Sequence, residues 1–263
     1  MDLLLANKVI FIAGSSQGLG YATAEILLKE NAKVVINGRN QEKLEKSAQK
    51  LINNTNGSVF TFAGDVTENN FPGLLFEFIK STFGKLDILI TNSGGPTPGP
   101  FELITDENWQ NAFELNFLSH VRLIRGLLPL LKCSETPNVL TITSTSAKQP
   151  IPNLILSNSI RAATIGLTKT LALEMGNIGI RFNSILPGWT RTERVTSLME
   201  NRAKLNNSSV EEEIRKQTTE SPLGRIADPD EFAYAAAFLV SPRASYLTGT
   251  MLSVDGGMVK GIF

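Results

Sequence analysis

Val9-Ile10-Phe11-Ile12-Ala13 runs directly into Gly14-Ser15-Ser16-Gln17-Gly18-Leu19-Gly20. A short continuous apolar run suits a strand buried on both faces of a parallel sheet. The glycines follow at once, as G-x-x-x-G-x-G. Residues 19–30 then carry apolar side chains at helical spacing. Strand, glycine turn and helix together open a βαβ unit. Glycine permits the tight turn and lets backbone N–H groups approach a ligand, while a helix N-terminus favours negative charge. In this context the turn reads as a cradle for a pyrophosphate. Taken alone, it would also serve as a plain turn.

Six further short runs rich in apolar and β-branched residues lie downstream, at 33–37, 59–62, 87–91, 139–143, 182–186 and 250–254. Residues 41–53, 69–82, 107–132 and 157–175 show helical spacing between them, as in Leu167, Leu171 and Met175. Strands alternating with helices predict an α/β fold, a doubly wound, Rossmann-like parallel sheet with helices on both faces. No linker or repeat divides residues 1–263, which are read as one domain. Residues 190–222 break the rhythm with Asn206-Asn207-Ser208-Ser209 and Glu211-Glu212-Glu213. This segment is either a solvated helical insertion or a mobile substrate lid, because it follows a strand end.

Composition narrows the function classes. Of 263 residues, 25 are Lys or Arg and 25 are Asp or Glu, so no global charge attracts nucleic acid or an anionic membrane. One histidine, His120, and one cysteine, Cys133, exclude His₂, His₃ and Cys₂His₂ metal sites and any internal disulfide within one chain. The start has an acid at Asp2 and only a short apolar run, unlike a signal peptide. No run of 18 apolar residues occurs, so no spanning helix is expected and a cytoplasmic protein is the default.

Open parallel sheets bind ligands outside the carboxyl ends of their strands. The unusual residues of this chain gather there: the glycine turn, Asn92-Ser93-Gly94-Gly95-Pro96, Ser144-Thr145-Ser146 and Pro187-Gly188-Trp189. In order and spacing, these segments resemble the short-chain dehydrogenase/reductase family along essentially the whole chain. The resemblance rests on Gly14, Gly18, Leu19 and Gly20, on Asp65-Val66, on Asn92 and Gly94 and on Asn116 and Ser144. Pro187-Gly188, Thr192, Pro222-Leu223-Gly224-Arg225 and Asp255-Gly256-Gly257 extend it. It implies a seven-stranded sheet, a nicotinamide cofactor, a small-molecule substrate and a homotetramer or homodimer.

Cofactor choice is argued from charge. NAD enzymes place an acid at the end of the second strand for the ribose 2′-hydroxyl. Here that position is Gly38, followed by Arg39. A guanidinium in place of a carboxylate suits a 2′-phosphate, and Ser16 offers a further donor. NADP(H) is favoured and NAD(H) is possible, since Arg39 could also be a solvated surface residue.

The family pattern fails at one point. A tyrosine that moves the alcohol proton is expected thirteen residues after the serine, with a lysine four residues later. Counting from Ser144, those positions hold Ser157 and Arg161. The register follows from Arg161-Ala162-Ala163-Thr164-Ile165-Gly166-Leu167-Thr168-Lys169, which resembles the family's helix. Tyr21, Tyr234 and Tyr246 lie elsewhere in sequence. Serine is a far weaker acid than a phenol, and Arg161 is a donor only. Lys148, four residues after Ser144, is one candidate substitute, because lysine readily shifts its pKa when buried. A water held by Ser144, Ser157 and Asn116 is another. The expected function is an NADP(H)-dependent oxidoreductase with a different proton donor. The rival readings are a catalytically silent cofactor-binding scaffold or sensor, and dehydration or isomerisation in the widened pocket. His120 and Cys133 read as packing residues, whereas Trp189 and the Pro96, Pro98 and Pro100 loop could shape the pocket.

Overall fold

The computed structural model describes residues 2–262. From the N-terminus, β1 (Val9–Ile12) leads to α1 (Gly18–Lys29), β2 (Lys33–Gly38) to α2 (Gln41–Thr55), and β3 (Ser58–Ala63) to α3 (Phe71–Phe83). Next come β4 (Ile88–Thr91), α4 (Asp106–Phe113), α5 (Ser119–Leu131), β5 (Asn138–Ile142) and α6 (Ile155–Met175). The chain continues through β6 (Arg181–Pro187), α7 (Glu193–Asn206), α8 (Val210–Glu220), α9 (Pro229–Val240) and β7 (Met251–Val254). The strands form one seven-stranded sheet ordered β3-β2-β1-β4-β5-β6-β7, and every neighbouring pair is parallel. The expected fold class is thus the observed one.

Alternate strand residues point to opposite faces. Ile10 and Ile12, with Val34, Ile36, Ile88 and Ile90, pack against α1, α2 and α9. Val9 and Phe11, with Val35, Leu89 and Val139, pack against α3 and α5. Both sets are buried, which is why the strands read as unbroken apolar runs rather than alternating ones.

Asp87, just before β4, is wholly buried. Its carboxylate accepts from the Val9 N–H at 2.9 Å and the Lys85 Nζ at 3.0 Å, and also from Ser134 Oγ. Burial by itself raises its pKa. The bonds from Ser134, Val9 and Lys85 outweigh that and hold it below the ordinary aspartate value.

One departure from the sequence reading bears on the site. The helix expected over 107–132 is interrupted by a π-turn at Glu114–Leu118, which separates α4 from α5 and contains Asn116. The Asn116 carbonyl accepts from Thr164 Oγ1 on α6 at 3.1 Å, so a hydroxyl from a neighbouring helix serves the displaced backbone. The 190–222 stretch forms two helices, α7 and α8. Helix α9, with Pro229 opening it and an Asp228–Glu231 capping box, lies outside the helical stretches expected from sequence.

Candidate active site

The carboxyl ends of the strands open into one cavity of 690 Å³. Its geometry begins at the glycine turn. Gly14 and Gly18 have φ of +56° and +61°, in the left-handed region that favours glycine. Gly20 is needed for a different reason: a Cβ there would lie 2.6 Å from the Gly14 carbonyl oxygen. Gly20 therefore does not line the cavity but lets α1 close onto the turn.

Side chains from neighbouring strands hold the turn in place. Asn37, at the end of β2, accepts from the Gly14 N–H and donates to the carbonyls of Phe62 and Gly64. Asn92 Nδ2 donates to the carbonyls of Ala13 and Gly14. Helix α1 has no side-chain cap, whereas Asn40, Thr105, Thr192 and Ser209 cap α2, α4, α7 and α8. Its first N–H groups are thus left without a side-chain acceptor beside the cavity, as a diphosphate requires.

One pole of the cavity is lined by Ser16, Gly38, Arg39, Lys43, Asp65 and Val66. A Cβ at Gly38 would sit 2.9 Å from Ser16 Oγ, so an acid at that position would displace the hydroxyl. Arg39 is largely exposed and lies 3.7 Å from Asp65. Lys43 also lines this pole and is 3.8 Å from Glu193 of α7. Lys43 escaped the sequence reading because a lysine in the first turn of an amphipathic helix is unremarkable. Leu19, Gly94, Pro187, Gly188 and Thr192 line the cavity as well. The residues present therefore fit a dinucleotide carrying a 2′-phosphate: uncapped N–H groups, a hydroxyl and two cations, with no carboxylate at position 38.

The opposite pole gathers Ser144, Ser157, Arg161, Trp189 and Arg194. Ser144, at the end of β5, caps a short turn by accepting from the Ser146 N–H at 3.1 Å. Ser157 Oγ lies 2.9 Å from the buried Ser146 Oγ. Arg161 is only 6% exposed, and its Nη1 donates to the Ile142 carbonyl at 3.2 Å. Burial, and then the nearby charge of Arg194, lower its pKa to about 10, so it remains a cation at neutral pH. Trp189 stacks under Arg202 at 5.1 Å, and its Nε1 has no acceptor among the described residues.

Two expected catalytic residues do not reach this pole. Lys148 is exposed and does not line the cavity. The Thr145–Ala147 turn carries the chain away from the strand end, and the Lys148 and Gln149 N–H groups close onto the Thr145 carbonyl. Asn116 also stands outside the lining. Its Nδ2 braces the turn after β4, donating to Ser93 Oγ at 2.8 Å and to the Gly94 carbonyl at 2.6 Å. Its Oδ1 is buried and unpartnered among the described residues. His120 lies behind Ser93, with Nε2 3.4 Å from its Oγ. Burial, and then Arg161, push its pKa down to about 3, so it is neutral at physiological pH and is no proton donor there.

None of the three tyrosines lines the cavity; Tyr234 and Tyr246 are exposed. Among the described residues no cluster of three His, Cys, Asp or Glu could hold a metal, and no helix is long and apolar enough to cross a membrane. Sequence reasoning missed Arg194 and Asn37. Only the chain's path brings them to the site.

A family model described as enoyl-(acyl carrier protein) reductase matches residues 13–259. The chain is 30% identical over 259 residues to the NADPH-dependent reductase BacG of Bacillus subtilis, covering 98% of this chain and 100% of that protein. It is 32% identical over 266 residues to the uncharacterized oxidoreductase YvrD of the same organism, covering all of both chains. Its backbone is similar to that of L-sorbose reductase from Gluconobacter frateurii, solved with NADPH and L-sorbose, with a TM-score of 0.94, 33% identity and full coverage of both chains. Matched in sequence and in backbone over almost its entire length, the chain belongs to the short-chain dehydrogenase/reductase family of oxidoreductases.

Proposed function

We propose that the protein is an NADP(H)-dependent reductase or dehydrogenase of a small carbonyl or alcohol substrate, working without the family's tyrosine. The observation that carries this is a single cavity joining the Ser16–Arg39–Lys43 pole to the Ser144–Ser157–Arg161 pole. The NADPH dependence of BacG and the NADPH bound in L-sorbose reductase support the cofactor. Arg39, Lys43 and Ser16 would hold the 2′-phosphate. The first turn of α1 would hold the diphosphate, and Asp65, Val66, Asn92 and Gly94 would frame the adenine and ribose. When bound, the nicotinamide supplies or accepts hydride.

The chain's own residues do the rest. Carbonyl reduction leaves charge on the substrate oxygen that donors must meet. Ser144 Oγ orients that oxygen. Arg161 replaces the family's lysine as the buried cation on the same helix face as Ser157. Arg161 is a donor that cannot shuttle protons, and a serine hydroxyl is too weak an acid to replace a phenol. The proton is therefore assigned to solvent water admitted to the space beside Ser157, next to the hydroxyls of Ser144 and Ser157. Helices α7 and α8 act as the lid, since α7 contributes Glu193, Arg194, Val195 and Leu198 to the cavity wall.

The test is NADPH oxidation by purified protein across a panel of ketones, aldehydes and oxo acids. Turnover is expected, with Ser144→Ala lowering kcat by about 100-fold, the order found when one oxyanion donor is removed. Tight NADPH binding without turnover on any member of the panel would favour the silent-scaffold reading. In that case Ser157→Tyr combined with Arg161→Lys should create activity absent from the parent.

A further inference from the structure

The charges around the cavity do not balance. Its lining holds four cations, Arg39, Lys43, Arg161 and Arg194, and two carboxylates, Asp65 and Glu193. Both carboxylates face the other pole's cations: Asp65 lies 3.7 Å from Arg39, and Glu193 lies 3.8 Å from Lys43. Arg161 and Arg194 form no ion pair among the described residues. Arg161 donates only to the Ile142 carbonyl, and Arg194 only to the Pro96 carbonyl at 2.7 Å. Arg161 is buried in the floor. Arg194, an exposed residue of α7, lines the cavity with its guanidinium packed on Gly95, where a Cβ would lie 2.8 Å from Nε.

Arg161 and Arg194 line the same cavity, and the charge of Arg194 adds to burial in lowering the pKa of Arg161. Two like charges facing one cavity with no acid between them are unfavourable, and an anion placed there relieves both. We propose that the space between Arg194 and Arg161 is an anion subsite, and that the substrate is an oxo acid or hydroxy acid whose carboxylate it holds. This rests on the reductase reading above. The cofactor diphosphate is the other possible source of negative charge. Its place, however, is at the glycine turn ahead of α1, where Thr192 packs against Gly18. Arg194 instead covers Gly95, beyond the end of β4. The carboxylate would enter over Gly95 and Pro96, leaving the carbonyl to Ser144.

The experiment uses 2-oxobutanoate, acetoacetate and levulinate, each beside its methyl ester. Binding to the full-length protein is measured calorimetrically with and without saturating NADP⁺, and NADPH oxidation is measured in parallel. At least one acid should bind tenfold or more tightly than its ester. Arg194→Met should bring the acid and its ester to within twofold of each other and leave the NADPH Kd within twofold of wild type, while Arg194→Lys retains part of the preference. Acids that bind no better than esters overturn the subsite. So does a preference that survives Arg194→Met. A tenfold loss of NADPH affinity in Arg194→Met, with the acid preference intact, would assign the guanidinium to the diphosphate instead. The two readings fail separately. An acid that binds selectively but is never reduced sinks the reductase reading and leaves the subsite. Esters reduced as fast as acids sink the subsite and leave the reductase.

Discussion

Ser16, Arg39 and Lys43 converge on one pole of the cavity from three different segments, the glycine turn, the end of β2 and the start of α2. Arg39 is loosely held, 3.7 Å from Asp65 and mostly exposed, so it is free to turn toward a phosphate. Hydrogen bonds to charged groups contribute about 1.5–3 kcal/mol. Arg39→Ala should therefore raise the KM for NADPH by about 10- to 100-fold while changing that for NADH little. Steady-state kinetics with both cofactors checks this, and an equal loss for both would remove Arg39 from 2′-phosphate recognition. At the other pole, the bond between Ser146 and Ser157 shows how residue identity is translated by packing. A serine at 157 turns its hydroxyl onto the floor of the site.

Helices α7 and α8 form a paired element clasped by one buried side chain. Glu213 accepts from Lys216 at 2.7 Å, Ser208 at 2.6 Å and Asn206 at 3.2 Å. The bond from Lys216, then those from Ser208 and Asn206, outweigh burial and hold its pKa at about 2. The folded value lies below the unfolded value of about 4.3. The clasp is therefore fully present above about pH 4.3 and is lost as pH falls toward 2. Protection factors for amide hydrogen exchange in the α7–α8 turn, corrected for the intrinsic pH dependence of exchange, should be high at pH 6 and fall on acidification toward pH 3. Glu213→Gln should exchange faster at pH 6 and lose that acid dependence. An unchanged acid dependence in the variant would place the sensitivity elsewhere. The π-turn between α4 and α5 is the other element with a positional role. It contains Asn116, whose side chain braces Ser93 and Gly94 and does not line the cavity.

Across the whole molecule, Asp87 ties three distant parts of the chain. It links the start of β1, the approach to β4 and the turn after α5. Asp87→Ala leaves the Val9 N–H, the Ser134 hydroxyl and the Lys85 ammonium without their acceptor. It should destabilise the protein by about 3 kcal/mol, as breaking a buried hydrogen-bonded charge does. Denaturant unfolding monitored by circular dichroism measures it, and a change below about 0.5 kcal/mol, the scale of an ordinary surface substitution, would show the network to be dispensable. Because the folded pKa is lowered, this contribution is present above the unfolded aspartate value and fades as pH falls through the folded one.

The sequence by itself determined the fold class, the parallel sheet and the glycine turn that lines the cavity. Strands buried on both faces must be continuously apolar, and the turn beside a diphosphate must be glycine. Both demands are local, so both are written in consecutive residues from Val9 to Gly20. It also singled out Ser144, Ser157 and Arg161 together, because they sit at countable spacing. Only the tertiary structure decided which polar residues meet. Lys148 lies four residues from Ser144, yet a single turn carries it out of the cavity. Asn116 meets Ser93 from within a π-turn that no periodicity announces. Arg161 and Arg194 are 33 positions apart in the chain yet line the same cavity. Charge balance is a property of that shared space, where distance through the cavity, not along the chain, sets the interaction.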